Sequence, residues 1–129
     1  MRIVLDTNVL IAGFLSHGLA ADILGLGEEK DIEIYSSEEI IEEAKTRLIN
    51  KLHLEESYVE GFLDHVRKSL KIIAPTQKID VIKSDPDDNK ILECAVTAQA
   101  DLIVTMDKHL LKQKSYEKIG IVHPKTLTW

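Results

Sequence analysis

The sequence contains a single cysteine and no hydrophobic run of membrane-spanning length. Cys94 cannot form a disulfide within the chain, and its apolar neighbours predict a small buried side chain rather than a reactive thiol. The apolar stretch over residues 9–15 is less than half the length of a membrane span. The opening apolar run, residues 3–5, is interrupted at once by Asp6, which is not the pattern of a signal peptide. These absences predict a cytoplasmic protein with no membrane association.

Basic residues are also fewer than acidic residues. Lysine and arginine total 16 against 22 acidic residues, so that the net charge is −6. This balance argues against a protein that holds nucleic acid through a general basic surface, and any contact with a phosphate backbone must be local.

A length of 129 residues, with 44% hydrophobic and 29% charged residues, predicts one globular domain over residues 1–129.

Short β-branched runs and helix-like runs alternate along the whole chain. Strands are predicted at residues 3–5, 31–36, 79–82, 102–104 and 121–122. Helices are predicted between them, at residues 9–15, 19–26, 57–70 and after Ser36 and Asp85. The helix after Ser36 is predicted to begin with a capping box of Ser36 and Glu39. Its predicted apolar face consists of Ile40, Ile41, Ala44, Leu48 and Leu52. This alternation predicts an α/β fold with a parallel sheet and helices on both faces. In such sheets, functional sites lie at the carboxyl ends of the strands.

Four acidic side chains stand where predicted strands end, or on predicted helices that lead to the same edge. They are Asp6, Glu43, Asp88 and Asp107. Clustered carboxylates repel one another unless a cation holds them, and hard oxygen ligands suit Mg²⁺ or Mn²⁺. The pattern predicts a metal-dependent nuclease in which all four are metal ligands and catalytic residues. Asn8 and Thr105, each two residues from an aspartate, are predicted to support the carboxylates through hydrogen bonds.

Each acid also has a purely structural interpretation. Asp6 or Asn8 could cap the helix that begins near Val9, and Asp107 could cap the turn that follows it. Asp85 and Asp88 fit the N-cap and N3 positions of a helix, where acids complement the helix dipole. Glu43 precedes Arg47 by one helical turn, which is the spacing of a surface ion pair. A shared metal explains all four positions together, whereas the structural interpretations require four independent causes.

Basic residues follow two of the acids in the sequence. Arg47 and Lys51 come after Glu43, and four lysines come after Asp107, at positions 108, 112, 114 and 118. A solvated helix face explains either set, but positive charge beside the carboxylates is also what a phosphate backbone requires. None of the five histidines has the spacing of a zinc site, and His109 alone is predicted near the acids.

The acidic segments occur in the order and at the intervals of a known family. They are residues 3–10, 37–48, 85–92 and 100–107, and residues 121–124 look like the closing strand of the same family. On these segments the sequence resembles the PIN-domain nucleases, especially the VapC-like branch described as toxins of toxin-antitoxin systems. The resemblance covers essentially the whole chain.

The resemblance implies a three-layer α/β fold whose central parallel sheet has the strand order 3-2-1-4-5. It also implies a divalent-metal-dependent endoribonuclease with the acidic quartet named above as its site. Three aspartates, Asp85, Asp87 and Asp88, compete for one place in this quartet. Asp88 is preferred because Ile91 and Ala95 then fit the core-facing positions after the family's acid, and Asp85 stays an additional candidate. The expected partners are single-stranded RNA, an antitoxin protein and a second copy of the chain in a homodimer.

Two other functions are compatible with the pattern. A PIN fold with weak catalysis could serve mainly to bind a protein partner. A receiver domain of two-component signalling is also a single α/β domain with strand-end aspartates that bind Mg²⁺. It needs an acceptor aspartate after a central strand near mid-chain, however, and residues 50–75 are predicted to be mainly helical. Metal-dependent cleavage of RNA separates a nuclease from a binding module.

Overall fold

A computed structural model describes residues 1–15, 31–80 and 88–126. In this part of the chain six strands form one sheet: β1 (Arg2–Leu5), β2 (Glu33–Ser36), β3 (Lys71–Ile72), β4 (Leu102–Val104), β5 (Ser115–Tyr116) and β6 (Ile119–Val122). The α-helices are α1 (Thr7–Leu15), α2 (Glu38–Asn50), α3 (Glu56–Ser69), α4 (Asn89–Ala98) and α5 (Lys108–Gln113), and a 3₁₀ helix covers Pro124–Thr126. No helix of the described ranges has the length and hydrophobicity of a membrane span. The predicted helix at residues 19–26 and Asp85 lie outside the described residues.

The sheet is mostly parallel and has the strand order β3-β2-β1-β4-β6-β5. At its centre, Val4 of β1 lies opposite Tyr35 of β2 on one side and Ile103 of β4 on the other. The predicted α/β fold is therefore confirmed. The predicted order 3-2-1-4-5 is matched when β6 is counted as the fifth strand. The difference is β5, an edge strand that runs antiparallel to β6 and was not predicted.

The third strand lies earlier in the sequence than predicted. Lys71 pairs with Tyr35 and Ile72 with Ser36, directly after α3 ends. The predicted strand over residues 79–82 is wrong at residues 79 and 80, which belong to no strand, and residues 81 and 82 lie outside the described part. A two-residue strand is too short to show the alternation that predicts a strand, so only the pairing with β2 defines it.

The start of α2 is shifted by one residue from the predicted capping box. Ser37 is the N-cap, and its hydroxyl accepts a hydrogen bond from the Ile40 backbone N–H at 3.3 Å. Ser36 is the last residue of β2 instead, and its buried hydroxyl has no hydrogen-bond partner among the described residues. Four residues of the predicted apolar face, Ile40, Ile41, Ala44 and Leu48, are buried. The fifth, Leu52, follows the end of the helix and is 44% exposed, so its place on that face is wrong.

The central strands are buried on both faces, as expected for a parallel sheet between helices. Val4 and Ile103 are fully buried, and α4 packs on β1, β2 and β4. Helix α2 packs against α1, α3 and α4. These contacts fix the carboxyl ends of β1 and β4 side by side and bring the flanks of α2 and α4 next to them.

Candidate metal centre

The site begins at the neighbouring carboxyl ends of β1 and β4. Asp6 directly follows β1 and Thr105 directly follows β4, and the Asp6 N–H donates to the Val104 carbonyl at 3.1 Å. The Thr105 hydroxyl donates a hydrogen bond to Oδ2 of Asp6. Both residues are buried, with 5% and 0% of their surface exposed. The support that the sequence predicted from Thr105 is therefore present.

The carboxylate of Asp6 serves two purposes. Its Oδ1 accepts a hydrogen bond from the Val9 N–H at 2.8 Å, which caps α1, while its Oδ2 faces Thr105. Burial raises the pKa of Asp6, and the negative charge of Asp107 raises it further. The hydrogen bonds from Thr105 and Val9, and the charge of Arg47, act in the opposite direction but do not cancel the effect of burial. A bound cation would relieve this cost of ionising Asp6.

Asp107 is fixed by the start of α5. Its Oδ1 accepts hydrogen bonds from the backbone N–H groups of His109 at 2.8 Å and Leu110 at 3.1 Å, and its Oδ2 takes no part in them. The Asp107 N–H donates to Oγ1 of Thr105 at 2.9 Å. One threonine hydroxyl therefore links the two strand-end aspartates, since it donates to Asp6 and accepts from the backbone of Asp107. The capping roles predicted for both aspartates are real and coexist with a place in the site.

Glu43 enters the site from α2 and is held by two cations. Its carboxylate lies 2.5 Å from Arg47 and 3.8 Å from Lys90. Arg47 also donates a hydrogen bond to Oδ1 of Asn8 at 2.7 Å. Asn8 was predicted to support a carboxylate directly, but in the structure it contacts Arg47 and so supports Glu43 through that residue.

Asp88 lies at the N-cap position of α4. Among the described residues, its side chain makes no capping hydrogen bond to the helix backbone. Asp88, Asp107 and His109 each place one potential ligand atom within 4.8 Å of the others. The Nδ1 atom of His109 lies 3.8 Å from Oδ1 of Asp107, and the histidine is exposed at the rim. Because Asp85 and Asp87 lie outside the described residues, the preference for Asp88 over them stays a prediction.

All four predicted acids meet around one small cavity. It has a volume of about 50 Å³ and is lined by Asp6, Thr7, Asn8, Glu43, Arg47, Asp88, Ile91 and Asp107. The cavity lining carries four carboxylates and the guanidinium of Arg47, and Lys90 lies beside Glu43, which leaves an excess of two negative charges when all of these groups are ionised. A donor set of carboxylate oxygens with this charge fits a hard divalent cation such as Mg²⁺ or Mn²⁺.

Sequence reasoning missed one cationic residue of the site, Lys90, and one contact of another, Arg47. The helical spacing predicted the pair of Arg47 with Glu43, but not the contact of Arg47 with Asn8, which is 39 residues away. Lys90 was not predicted to be a site residue. Its position two residues after Asp88, at the start of a helix, was the available signal. Both residues matter because they partly offset the negative charge of the cavity.

The fold and the cavity together define a class of protein: a mostly parallel α/β domain with an acidic centre, suited to a divalent metal, at the carboxyl edge of its sheet. The chain belongs to the PIN-domain family, because the family model described as "PIN domain" matches residues 2–109. The matched range contains all four acids. PIN domains are generally nucleases and typically bind divalent metals.

The fold is also similar to a solved structure. A chain of the structure described as "Crystal structure of VapBC2 from Rickettsia felis bound to a DNA fragment from their promoter" matches with a TM-score of 0.68 and 17% sequence identity. The match covers 94% of this chain and 97% of that chain. No curated protein matches the sequence.

The receiver-like alternative does not fit, because receiver sheets have the order 2-1-3-4-5, whereas β1 here lies between β2 and β4.

Proposed function

We propose that this PIN-domain protein is a divalent-metal-dependent endoribonuclease that hydrolyses phosphodiester bonds in single-stranded RNA. The observation that carries the proposal is the meeting of four carboxylates, from β1, β4, α2 and α4, around one cavity with excess negative charge. In this proposal Asp6, Glu43, Asp88 and Asp107 hold Mg²⁺ or Mn²⁺. When bound, the cation lowers the pKa of a water molecule and offsets negative charge on the phosphate.

The residues of the chain would hold the metal-binding side chains in place. Thr105 orients Asp6 through its hydroxyl and positions the backbone of Asp107. Arg47 orients Glu43 and ties it to Asn8 at the start of α1. Such supporting bonds restrict the rotamers of metal ligands and so strengthen metal binding. Thr105 is an unsuitable nucleophile, because its hydroxyl is fully buried and already bonded to Asp6.

The test is cleavage of a mixed set of single-stranded RNAs by the wild-type protein with Mg²⁺ or Mn²⁺, and again with EDTA. Asp107→Asn removes one proposed ligand and should lower the cleavage rate roughly a hundredfold or more. RNA binding should fall far less, because phosphate contacts come from other residues. Asp64→Asn is the matched control, since Asp64 is exposed on α3 and pairs only with Arg67 among the described residues.

The outcomes of this test distinguish a nuclease from a PIN-fold binding module. EDTA-resistant cutting, or equal cutting by wild type and Asp107→Asn, would indicate a contaminating nuclease and contradict the catalytic assignment. RNA or protein binding by a wild type that cuts no RNA would instead favour a PIN-fold binding module.

We further propose that the protein is the toxin of a toxin-antitoxin pair, acts in the cytoplasm and forms a homodimer. The support is the PIN fold and its likeness to a chain of the VapBC2 structure named above. A small protein encoded beside this chain should copurify with it and inhibit its RNA cleavage. Light scattering of the purified protein should give twice the 14.5 kDa of one chain. Failure of the neighbouring protein to bind or inhibit would contradict the toxin assignment and leave the nuclease assignment intact.

A further inference from the structure

Positive charge is concentrated in the last described segment of the chain. Residues 108–126 contain five lysines and a single acid, Glu117, so that the segment carries a net charge of +4 in a chain whose net charge is −6. All five lysines are exposed. They are Lys108, Lys112, Lys114, Lys118 and Lys125. The deficit of positive charge that argued against a general nucleic-acid surface therefore does not apply to this part of the molecule.

Within the described part of the chain, these lysines differ from many other cations in having no acidic partner. Elsewhere Lys45 pairs with Glu60, Arg67 with Glu38 and Lys71 with Glu33. No ion pair among residues 1–15, 31–80 and 88–126 involves any of the five lysines. Their charge is therefore available to an external anionic ligand.

The positive segment begins at the acid cavity. Helix α5 starts directly after Asp107, whose Oδ1 caps it. Lys108 and Lys112 are four residues apart and therefore share one exposed face of this short helix, while Leu110 is fully buried. The exposed face of α5 is thus a basic surface that starts at the rim of the cavity.

The basic surface continues along the outer edge of the sheet. Lys114 directly precedes β5, and Lys118 lies in the turn between β5 and β6. Because β5 runs antiparallel to β6, it leads away from the carboxyl edge that carries the acids. We call Lys108, Lys112, Lys114 and Lys118 the basic edge. This edge depends on the hairpin that was absent from the predicted topology.

The surface of α2 beside the cavity has the opposite charge. A groove of about 460 Å³ is lined by Glu38, Glu39, Glu42, Glu43, Thr46 and Lys90. Four acids and one cation disfavour a phosphate backbone there, because like charges repel. The charge distribution therefore distinguishes two routes to the cavity and favours the route over α5.

We propose that the RNA strand reaches the acid cavity across the basic edge, with Lys108 and Lys112 contacting the phosphates next to the one that is cut. This inference rests on the ribonuclease activity proposed above. Lysine ammonium groups suit this role, since they contact phosphates as point charges without reading the sequence. A positive surface that follows the backbone is a common way of holding single-stranded nucleic acid.

The test compares the double variant Lys108→Gln/Lys112→Gln with the control Lys68→Gln/Lys78→Gln. The control removes the same charge from exposed lysines that form no ion pair within the described residues. The probe is a fluorescein-labelled oligouridylate, and its binding is measured by anisotropy in EDTA at several KCl concentrations. The slope of log K against log salt should fall by about 1.4 in the double variant, since each contact with a single strand contributes about 0.7. The control should keep the wild-type slope.

A second pair and a kinetic measurement make the test independent of any one variant. Lys114→Gln/Lys118→Gln should also lower the slope, with a smaller effect on cleavage because the hairpin leads away from the cavity. In Mg²⁺, Lys108→Gln/Lys112→Gln should raise KM for RNA and change kcat less. An unchanged slope in both basic-edge pairs would overturn the proposal. Loss of binding to phosphatidylserine vesicles with unchanged RNA binding would also overturn it, in favour of a membrane surface.

The same measurements distinguish this proposal from the proposed function. A wild type that binds RNA through these lysines but cuts none would support the basic edge and contradict the nuclease. A wild type that cuts RNA, with the same KM in the double variant, would support the nuclease and overturn the basic edge.

Discussion

At the scale of single residues, the hydroxyl of Thr105 couples two elements of the site. It donates to the carboxylate of Asp6 and accepts from the backbone N–H of Asp107. The group is fully buried, so that neither bond can be replaced by water without a change in packing. Removing the hydroxyl would leave an acceptor and a donor without this partner, and buried polar groups without partners are costly.

Thr105→Val should therefore weaken both the fold and the metal site. Valine keeps the shape of the side chain but not the hydroxyl, and we expect a loss of about 1–3 kcal/mol in the free energy of unfolding. The affinity for Mn²⁺ should fall by roughly 10–100-fold, because Asp6 loses the bond that orients it. Urea unfolding and titration calorimetry measure the two effects. Thr105→Ser keeps the hydroxyl and is the control, and equal Mn²⁺ affinity in the Val and Ser variants would show that the hydroxyl does not position the acids.

Asp6→Asn should change how stability depends on pH in metal-free protein. Because burial raises the pKa of Asp6 in the folded state, its contribution to stability is fully present below the ordinary value of 3.8 and is lost as the pH rises through the raised pKa. Asparagine does not ionise and lacks this loss. The stability of Asp6→Asn relative to wild type should therefore improve from below pH 3.8 to pH 7.

Urea unfolding in EDTA at several pH values measures this difference, with Asp64→Asn as the control for removing an exposed acid. A relative loss of stability in Asp6→Asn at higher pH would mean that the bonds from Val9 and Thr105 outweigh burial. The capping role of Asp6 would then dominate its energetics.

At the scale of elements, the start of α2 shows how closely local chemistry defines a boundary. The spacing of Ser36 and Glu39 predicts a capping box that begins at Ser36. In the structure Ser36 still pairs with Ile72 in the sheet, so the helix begins only after Ser37. The pairing of β2 with β3 therefore determines which of the two adjacent serines caps α2.

Single alanine substitutions at these serines should separate the two roles. Ser37→Ala should cost about 1 kcal/mol in the free energy of unfolding, because it removes the bond to the Ile40 N–H. Ser36→Ala should cost less, since its hydroxyl has no hydrogen-bond partner among the described residues. Urea unfolding of both variants measures the difference, and a larger cost at Ser36 would restore the capping box that the sequence predicted.

At the scale of the whole molecule, charge is arranged around the cavity rather than spread evenly. The acids meet at the carboxyl edge, more acids line the groove beside α2, and the lysines of the basic edge, which form no ion pair within the described residues, begin directly after Asp107. A fold that gathers carboxylates in this way is expected to be stabilised by a cation that binds only its folded state.

Mn²⁺ should therefore raise the midpoint of thermal unfolding in a concentration-dependent manner, and EDTA should reverse the effect. The expected stabilisation is about 2.7 kcal/mol when free Mn²⁺ is a hundred times its Kd. Asp107→Asn should lose most of the shift, whereas Asp64→Asn should keep it. The same shift in Asp107→Asn as in wild type would place the bound Mn²⁺ outside the proposed site.

The sequence by itself determined the α/β class and the positions of the acids along the chain. Both depend on local patterns: a β-branched run that ends in Asp6 or Thr105, and a helical periodicity that leaves Glu43 at the margin of its apolar face. Such patterns act over a few residues, so they can be recognised without knowing the fold. The roles of the acids in metal binding and catalysis stay predictions.

The tertiary structure decided which of these residues meet and which small elements form. The bond between Thr105 and Asp6 joins residues 99 positions apart, and that between Arg47 and Asn8 joins residues 39 positions apart. Strands β3 and β5 have two residues each, too few for a periodic signal, and exist because β2 and β6 offer unpaired edges. Contacts of this kind depend on strand order and helix packing, which no local pattern contains.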